Sequence, residues 1–109
     1  MVTAELAAVL PAIVFVLAVA LNAVAIGIDQ IRCVDAARMA ARSASRGDSP
    51  AQISDIGRRA APGGATVLLR PVADAVEVTV STQPPGPFGW LIGNHRLSGS
   101  VIAPLERSP

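Results

Sequence analysis

A chain of 109 residues with a net charge of +1 has room for one domain at most, and its charge gives no footing to a nucleic-acid partner. All nine basic residues are arginines, and the four between Arg32 and Arg46 are diluted by Asp29, Asp35 and Asp48. Cys33 is the only cysteine, which excludes an intramolecular disulfide and any cysteine-built metal site.

The chain opens on its most informative stretch. From Leu6 to Ile28 no residue carries a formal charge, and only Pro11, Phe15, Asn22 and Gly27 depart from an Ala/Val/Leu/Ile composition. As a helix this run spans ~34 Å, enough for a hydrocarbon core of ~30 Å. A helix apolar on every side cannot be enclosed by the small domain that follows, so residues 1–28 read as a transmembrane helix in contact with lipid. A cleaved secretory signal is the rival, because Ala18-Val19-Ala20 and Ala23-Val24-Ala25 both have the small-x-small form of a cleavage site. Against it, no basic residue precedes the run and the first charge is an acid, Glu5. Arg32, Arg38, Arg42 and Arg46 follow the helix, and by the positive-inside rule they place the C-terminal side in the cytoplasm unless a basic leader precedes Met1.

Beyond Ile28 the helical period continues but becomes amphipathic. Asp29, Arg32, Asp35, Arg38, Arg42 and Arg46 fall on one face at steps of three or four, and Val34, Ala37, Ala41 and Ala44 form a face of small side chains. The pattern predicts one rod from Thr3 to Arg46, with Gly47 as its stop. A short second helix follows, with Ser49 as N-cap, Pro50 at the first position and Gln52 completing a capping box. Ile53 and Ile56 mark its buried side, and Ala61-Pro62-Gly63-Gly64 ends it.

Strands complete the chain. Ala75 to Ser81 alternates strictly, with Val76, Val78 and Val80 on the face toward a helix. Thr66 to Val72 and Arg96 to Ala103 are its partners in an antiparallel meander. The class is therefore α+β: a long N-terminal helix, transmembrane then amphipathic, a short second helix and a small three-stranded antiparallel sheet. Residues 29–109 form the domain, with 29–46 continuing the helix. The loop Gln83 to Asn94 carries Phe88 and Trp90, which either pack over the sheet end or meet a partner.

No constellation of catalytic residues emerges. His95 stands without positioned partners, the serines lack a nucleophile elbow, and the glycines form no phosphate loop. No enzyme, metal or cofactor is expected. Two polar residues in the apolar segment call for a role. Glu5 is either an acid that favours the helix N-terminus in the headgroup layer or an assembly charge that needs a cationic partner. Asn22 either bonds across helices or lies near the far interface. Pro11 removes one helical donor, and Gly27 with the neighbouring alanines permits close helix approach.

Met1-Val2-Thr3-Ala4-Glu5-Leu6, running directly into the apolar segment, resembles the mature start of a type IV pilin-like subunit. Together with Gln30-Ile31-Arg32-Cys33-Val34-Asp35-Ala36-Ala37-Arg38 and the Ala41-Arg42 and Arg46-Gly47-Asp48 steps, the chain resembles the TadE-like minor pilins, or pseudopilins, of Flp-type tight-adherence pilus systems, especially actinobacterial ones. The likeness covers Met1 to Asp48; beyond that only the general plan agrees. The resemblance implies processing by a prepilin peptidase just before Met1, and pairing of Glu5 with the N-terminal amine of a neighbouring subunit. It also implies an extracytoplasmic C-terminal domain, and partners among membrane lipid, other pilin subunits and the assembly machinery. The competing function is a secreted soluble binding protein released by cleavage near Ala25.

Overall fold

The computed structural model describes residues 2–87 and 95–104. Its dominant element is helix α1, Val2–Ser45, a single 44-residue rod of ~66 Å in a molecule 81 × 21 × 16 Å across. The helix runs unbroken through Pro11. It ends in a Schellman motif: Gly47 adopts φ 82°, its N–H donates to the Ala44 carbonyl at 3.0 Å, and the Asp48 N–H donates to that of Ser43 at 3.2 Å. Helix α2, Pro50–Ala60, starts on the full capping box, with the Gln52 N–H donating to Ser49 Oγ and the Ser49 N–H donating to Gln52 Oε1.

Three strands follow, β1 (Thr66–Val72), β2 (Ala75–Thr82) and β3 (Leu97–Pro104), in the order β1-β2-β3 with both pairs antiparallel. The register pairs Leu68 with Thr79 and Thr79 with Ser100, so these three line one face and Leu69, Val78 and Val101 the other. The two-residue turn Ala73-Asp74 joins β1 to β2 and holds Ala73 at φ 49°, a left-handed conformation that costs a non-glycine residue ~1 kcal/mol.

The core lies between one face of this sheet and the second half of α1. Cys33, Ala36, Ala37, Ala40, Ala41 and Ala44 supply the helix side, and Val78, Val80, Leu97 and Ala103 the sheet side, with Ile53 and Ala61 closing it from α2 and its end. Ile56 is only half-buried, and Gly57 takes the central place on α2 instead. Small side chains bring backbones close. A Cβ on Gly99 would stand 2.5 Å from Val34 Cα, and one on Gly57 would stand 2.9 Å from a Val67 methyl. Glycine at these two sites lets β3 and α2 seat against their neighbours.

Candidate membrane and assembly surface

Burial divides α1 sharply. From Val2 to Leu17 every residue is exposed, including Leu6, Leu10, Ile13, Val14, Phe15 and Leu17, and the most apolar window of the helix is wholly unburied. Asn22 is the first buried residue, and from Cys33 onward small residues enter the core on a helical period. Among the described residues one helix is thus long and apolar enough to cross a membrane, near the N-terminus, a property shared by single-pass anchors and signal segments. A contiguous apolar surface of this size is far beyond the few hundred Å² that soluble monomers leave bare.

Asn22 marks the junction. Its Nδ2 donates to the Pro85 carbonyl at 2.8 Å, a contact 63 residues long that ties the Pro/Gly loop to the helix. Gly86, beside it, has φ 79°, and a Cβ there would lie 2.5 Å from Asn22 Nδ2, so both conformation and space require glycine. Asn22 is therefore committed to the domain's own loop, at the level where the apolar half ends.

Gln30 makes a second long-range tie. Its Nε2 donates to the Ser98 carbonyl at 2.7 Å while its Oε1 accepts the Ser98 N–H at 3.1 Å, so one carboxamide satisfies both backbone groups of an edge residue. Ser45 Oγ donates to the Pro104 carbonyl at 3.4 Å near the other end of β3. Nothing in the spacing of the sequence pointed to Gln30 or Gly99; both matter only once α1 is laid along β3.

The remaining candidates distribute as follows. Glu5 lies in the first turn of α1, exposed, where an acid favours the helix dipole. Pro11 is exposed on the bare half, and the Gly27 Cβ position faces open space. Met1, Phe88 and Trp90 lie outside the described residues. The structure brings Asn22 to the loop but does not bring Glu5, Pro11 and Gly27 together, since all three lie along one rod.

Charges on the domain half are largely neutralised in place. Arg32 faces Asp29 at 4.0 Å, Arg38 faces Asp35 at 3.7 Å, Arg46 faces Asp48 at 3.2 Å, Arg59 faces Asp55 at 2.7 Å and Arg70 faces Glu77 at 3.9 Å. All are near the surface, where such pairs contribute ~0–1 kcal/mol. Arg42 has no acidic partner among the described residues. A hydrogen bond from the Ser43 hydroxyl, helped by Arg46, holds the Asp48 carboxyl below its ordinary range. Burial pushes the Cys33 thiol up, the Asp29 carboxylate adds to this, and Arg32 opposes it; the thiol is fully buried, 4.0 Å from the Leu97 carbonyl. Cys33 is thus a neutral packing residue, out of reach of an intermolecular disulfide while the domain is folded. Among the described residues no three His, Cys, Asp or Glu side chains converge as metal ligands would.

No known family, curated protein or solved structure matches the chain.

Proposed function

We propose that the chain is a structural, pilin-like subunit, held in a membrane by the bare half of α1 before it joins a Flp-type pilus or a related secretion apparatus. It is not an enzyme in this reading. The observation that carries it is the continuity of α1: an apolar half naked on every side runs, without a break, into the spine of a small α+β domain. Such a rod has two stable surroundings for its naked half, lipid and a bundle of sister helices, and a subunit that moves from one to the other can be stored and then polymerised. The domain stays on one side of the membrane, outside the cytoplasm in the family the sequence resembles.

Glu5 gives the reading its chemistry. In the headgroup layer its charge is tolerated, but among packed helices it needs a cation, and an unpaired buried carboxylate is costly. The N-terminal amine of a neighbouring subunit would answer that need. Continuity of α1 also weighs against release by cleavage near Ala25, which would strip Asn22 from Pro85.

Glu5→Ala is the test. The variant should fractionate with membranes as the wild type does, yet be depleted from fibres sheared off the cell surface. Equal incorporation of the variant would remove the assembly role, and N-terminal sequencing that finds a mature start near Ile26 would replace the whole reading with secretion.

A further inference from the structure

The two hydrogen bonds between Gln30 and Ser98 reveal which way the free edge of the sheet points. Both backbone groups of Ser98 are taken by a side chain of α1, so they face away from β2, and Ser81–Ser98 is a non-hydrogen-bonded pair of the ladder. Direction repeats every second residue along a strand. The N–H and C=O of Ser100 and Ile102 therefore face outward too. Two further contacts agree: the Pro104 carbonyl is met from outside by Ser45, and the hydroxyls of Thr79 and Ser100 approach to 3.2 Å, as side chains of a non-hydrogen-bonded pair do. Gln30 thus closes one end of the β3 edge and Ser45 the other. Between them, four outward backbone groups have no partner among the described residues.

That open stretch borders a groove of ≈ 470 Å³ between β3 and α1, walled by Val101 to Pro104 on one side and by Arg38, Ala41 and Arg42 on the other. β3 itself carries no charged residue, and Ile102 is 60% exposed, so between the ties at Ser98 and Pro104 the edge lacks the in-strand charge that sheets use to discourage pairing. We infer that this edge accepts an extended segment of a partner polypeptide as a fourth strand, with carboxylates on the partner's helix-facing positions that pair with Arg42 and Arg38.

Charge decides the partner. Side chains of an added strand alternate between the two faces of the sheet, and those on the α1 side meet guanidinium groups, of which that of Arg42 has no acidic neighbour among the described residues. A second copy paired through the same edge would bring like groups of arginines together, so self-pairing is opposed. Anionic lipid is excluded by position, because Arg42 lies 20 residues beyond Asn22, ~30 Å along the axis and several Debye lengths from a surface at the junction. The mode is strand addition, in which main-chain bonds give affinity and alternate side chains give specificity. It rests on the packing of α1 against β3 and holds whether or not the subunit enters a pilus.

The full chain in uncharged detergent micelles, titrated with fluorescent eight-residue peptides, tests the inference. A Thr-Glu repeat should bind, and the matching Thr-Lys repeat at least tenfold more weakly. N-methylation of every second peptide amide should abolish binding in one phase and leave it nearly intact in the other, because only one set of N–H groups faces β3. Arg42→Ala should weaken the Thr-Glu peptide several-fold. Ser100→Pro, which removes an outward N–H but no ladder bond, should do so too, with only a small fall in melting temperature from the lost Thr79–Ser100 hydroxyl contact. Absence of binding by the Thr-Glu repeat, equal binding of both repeats, or equal effects of the two methylation phases would overturn the proposal. Should Ser100→Pro unfold, the methylation pair decides the matter on wild-type protein.

Discussion

The two halves of α1 share an alanine-rich composition and one unbroken hydrogen-bonded backbone, yet they meet opposite surroundings. In the first half the large side chains, from Leu6 to Leu17, lie bare, while in the second half the fully buried positions are Cys33, Ala36, Ala37, Ala40 and Ser43. In the second half, then, the buried positions are small ones while Ile31 and Met39 face out, whereas in the first half large and small side chains alike are exposed. Leucine and valine face outward where only lipid or another helix can cover them, and alanine faces inward where a strand backbone must approach. The first half is a surface made for exchange of neighbours; the second is a fixed spine. Substitutions that treat the halves as equivalent should fail in opposite ways.

The largest effect is expected at Gly99. A side chain there has to enter space held by the backbone of Val34, 2.5 Å away, and backbone cannot yield as a side-chain tip can. Gly99→Val should cost more than ~3 kcal/mol, above the usual range for overpacking. That is a large share of the ~5–15 kcal/mol by which folded proteins are typically stable. The variant should lose its cooperative thermal transition while still fractionating with membranes. A melting temperature within a few degrees of wild type would show that α1 and β3 do not touch as described.

The reverse outcome is expected from the first half. Val14 is 64% exposed and near the middle of the apolar run. Val14→Asp should leave the domain's melting transition intact and disfavour membrane insertion by ~2.5–3.5 kcal/mol. Alkaline extraction checks it: the variant should appear in the soluble fraction, and retention in the membrane would mean that residue 14 does not lie in the hydrocarbon layer.

A smaller effect belongs to the junction. Asn22→Ala deletes the bond to Pro85 and should cost ~1 kcal/mol, or ~4–8 °C in melting temperature for a domain of this size. Amide exchange at Gln83 and Gly86, the two residues of the 83–87 stretch that carry a backbone N–H, should quicken more than in β1. Membrane retention should not change, since the residue serves the domain. Unchanged exchange with altered retention would move Asn22 back into the apolar half.

Much of this architecture is legible in the sequence alone. The rod expected over Thr3 to Arg46 is found at Val2–Ser45, the capping box of α2 occurs as spelled, and strict alternation located β2 to within one residue of its end. Each of these signals is local: period, cap chemistry, parity. What stayed hidden is long-range. Gly99 inside a Ser-Gly-Ser run reads as a weak point in a strand, and its value appears only when the backbone of α1 lies against it. Asn22 read as a polar group in a membrane helix, because the loop that accepts it comes 63 residues later. Gln30 belonged to no periodic face at all. Sequence periodicity reports which face is buried, but not which backbone it is buried against.

The gentlest way to probe the fixed half is at its last turn, through Asp48. The Schellman motif already satisfies two terminal carbonyls of α1, and the Asp48 carboxylate adds side-chain bonds from Ser43 Oγ at 2.6 Å and from Arg46 at 3.2 Å. These bonds favour the ionised form and hold the folded carboxyl below the ~3.9 of an unfolded aspartate. The sign follows from linkage. Above the unfolded value both states are ionised and the contribution is fully present; as pH falls below it, the unfolded state takes up the proton first and the contribution fades, to vanish below the folded value. Asp48→Asn should therefore be slightly less stable than wild type at pH 7, and the two proteins should converge as the pH is lowered below ~3.9. Melting temperatures across that range check it. A difference that persists at the acid end would assign the role of Asp48 to its shape and not its charge.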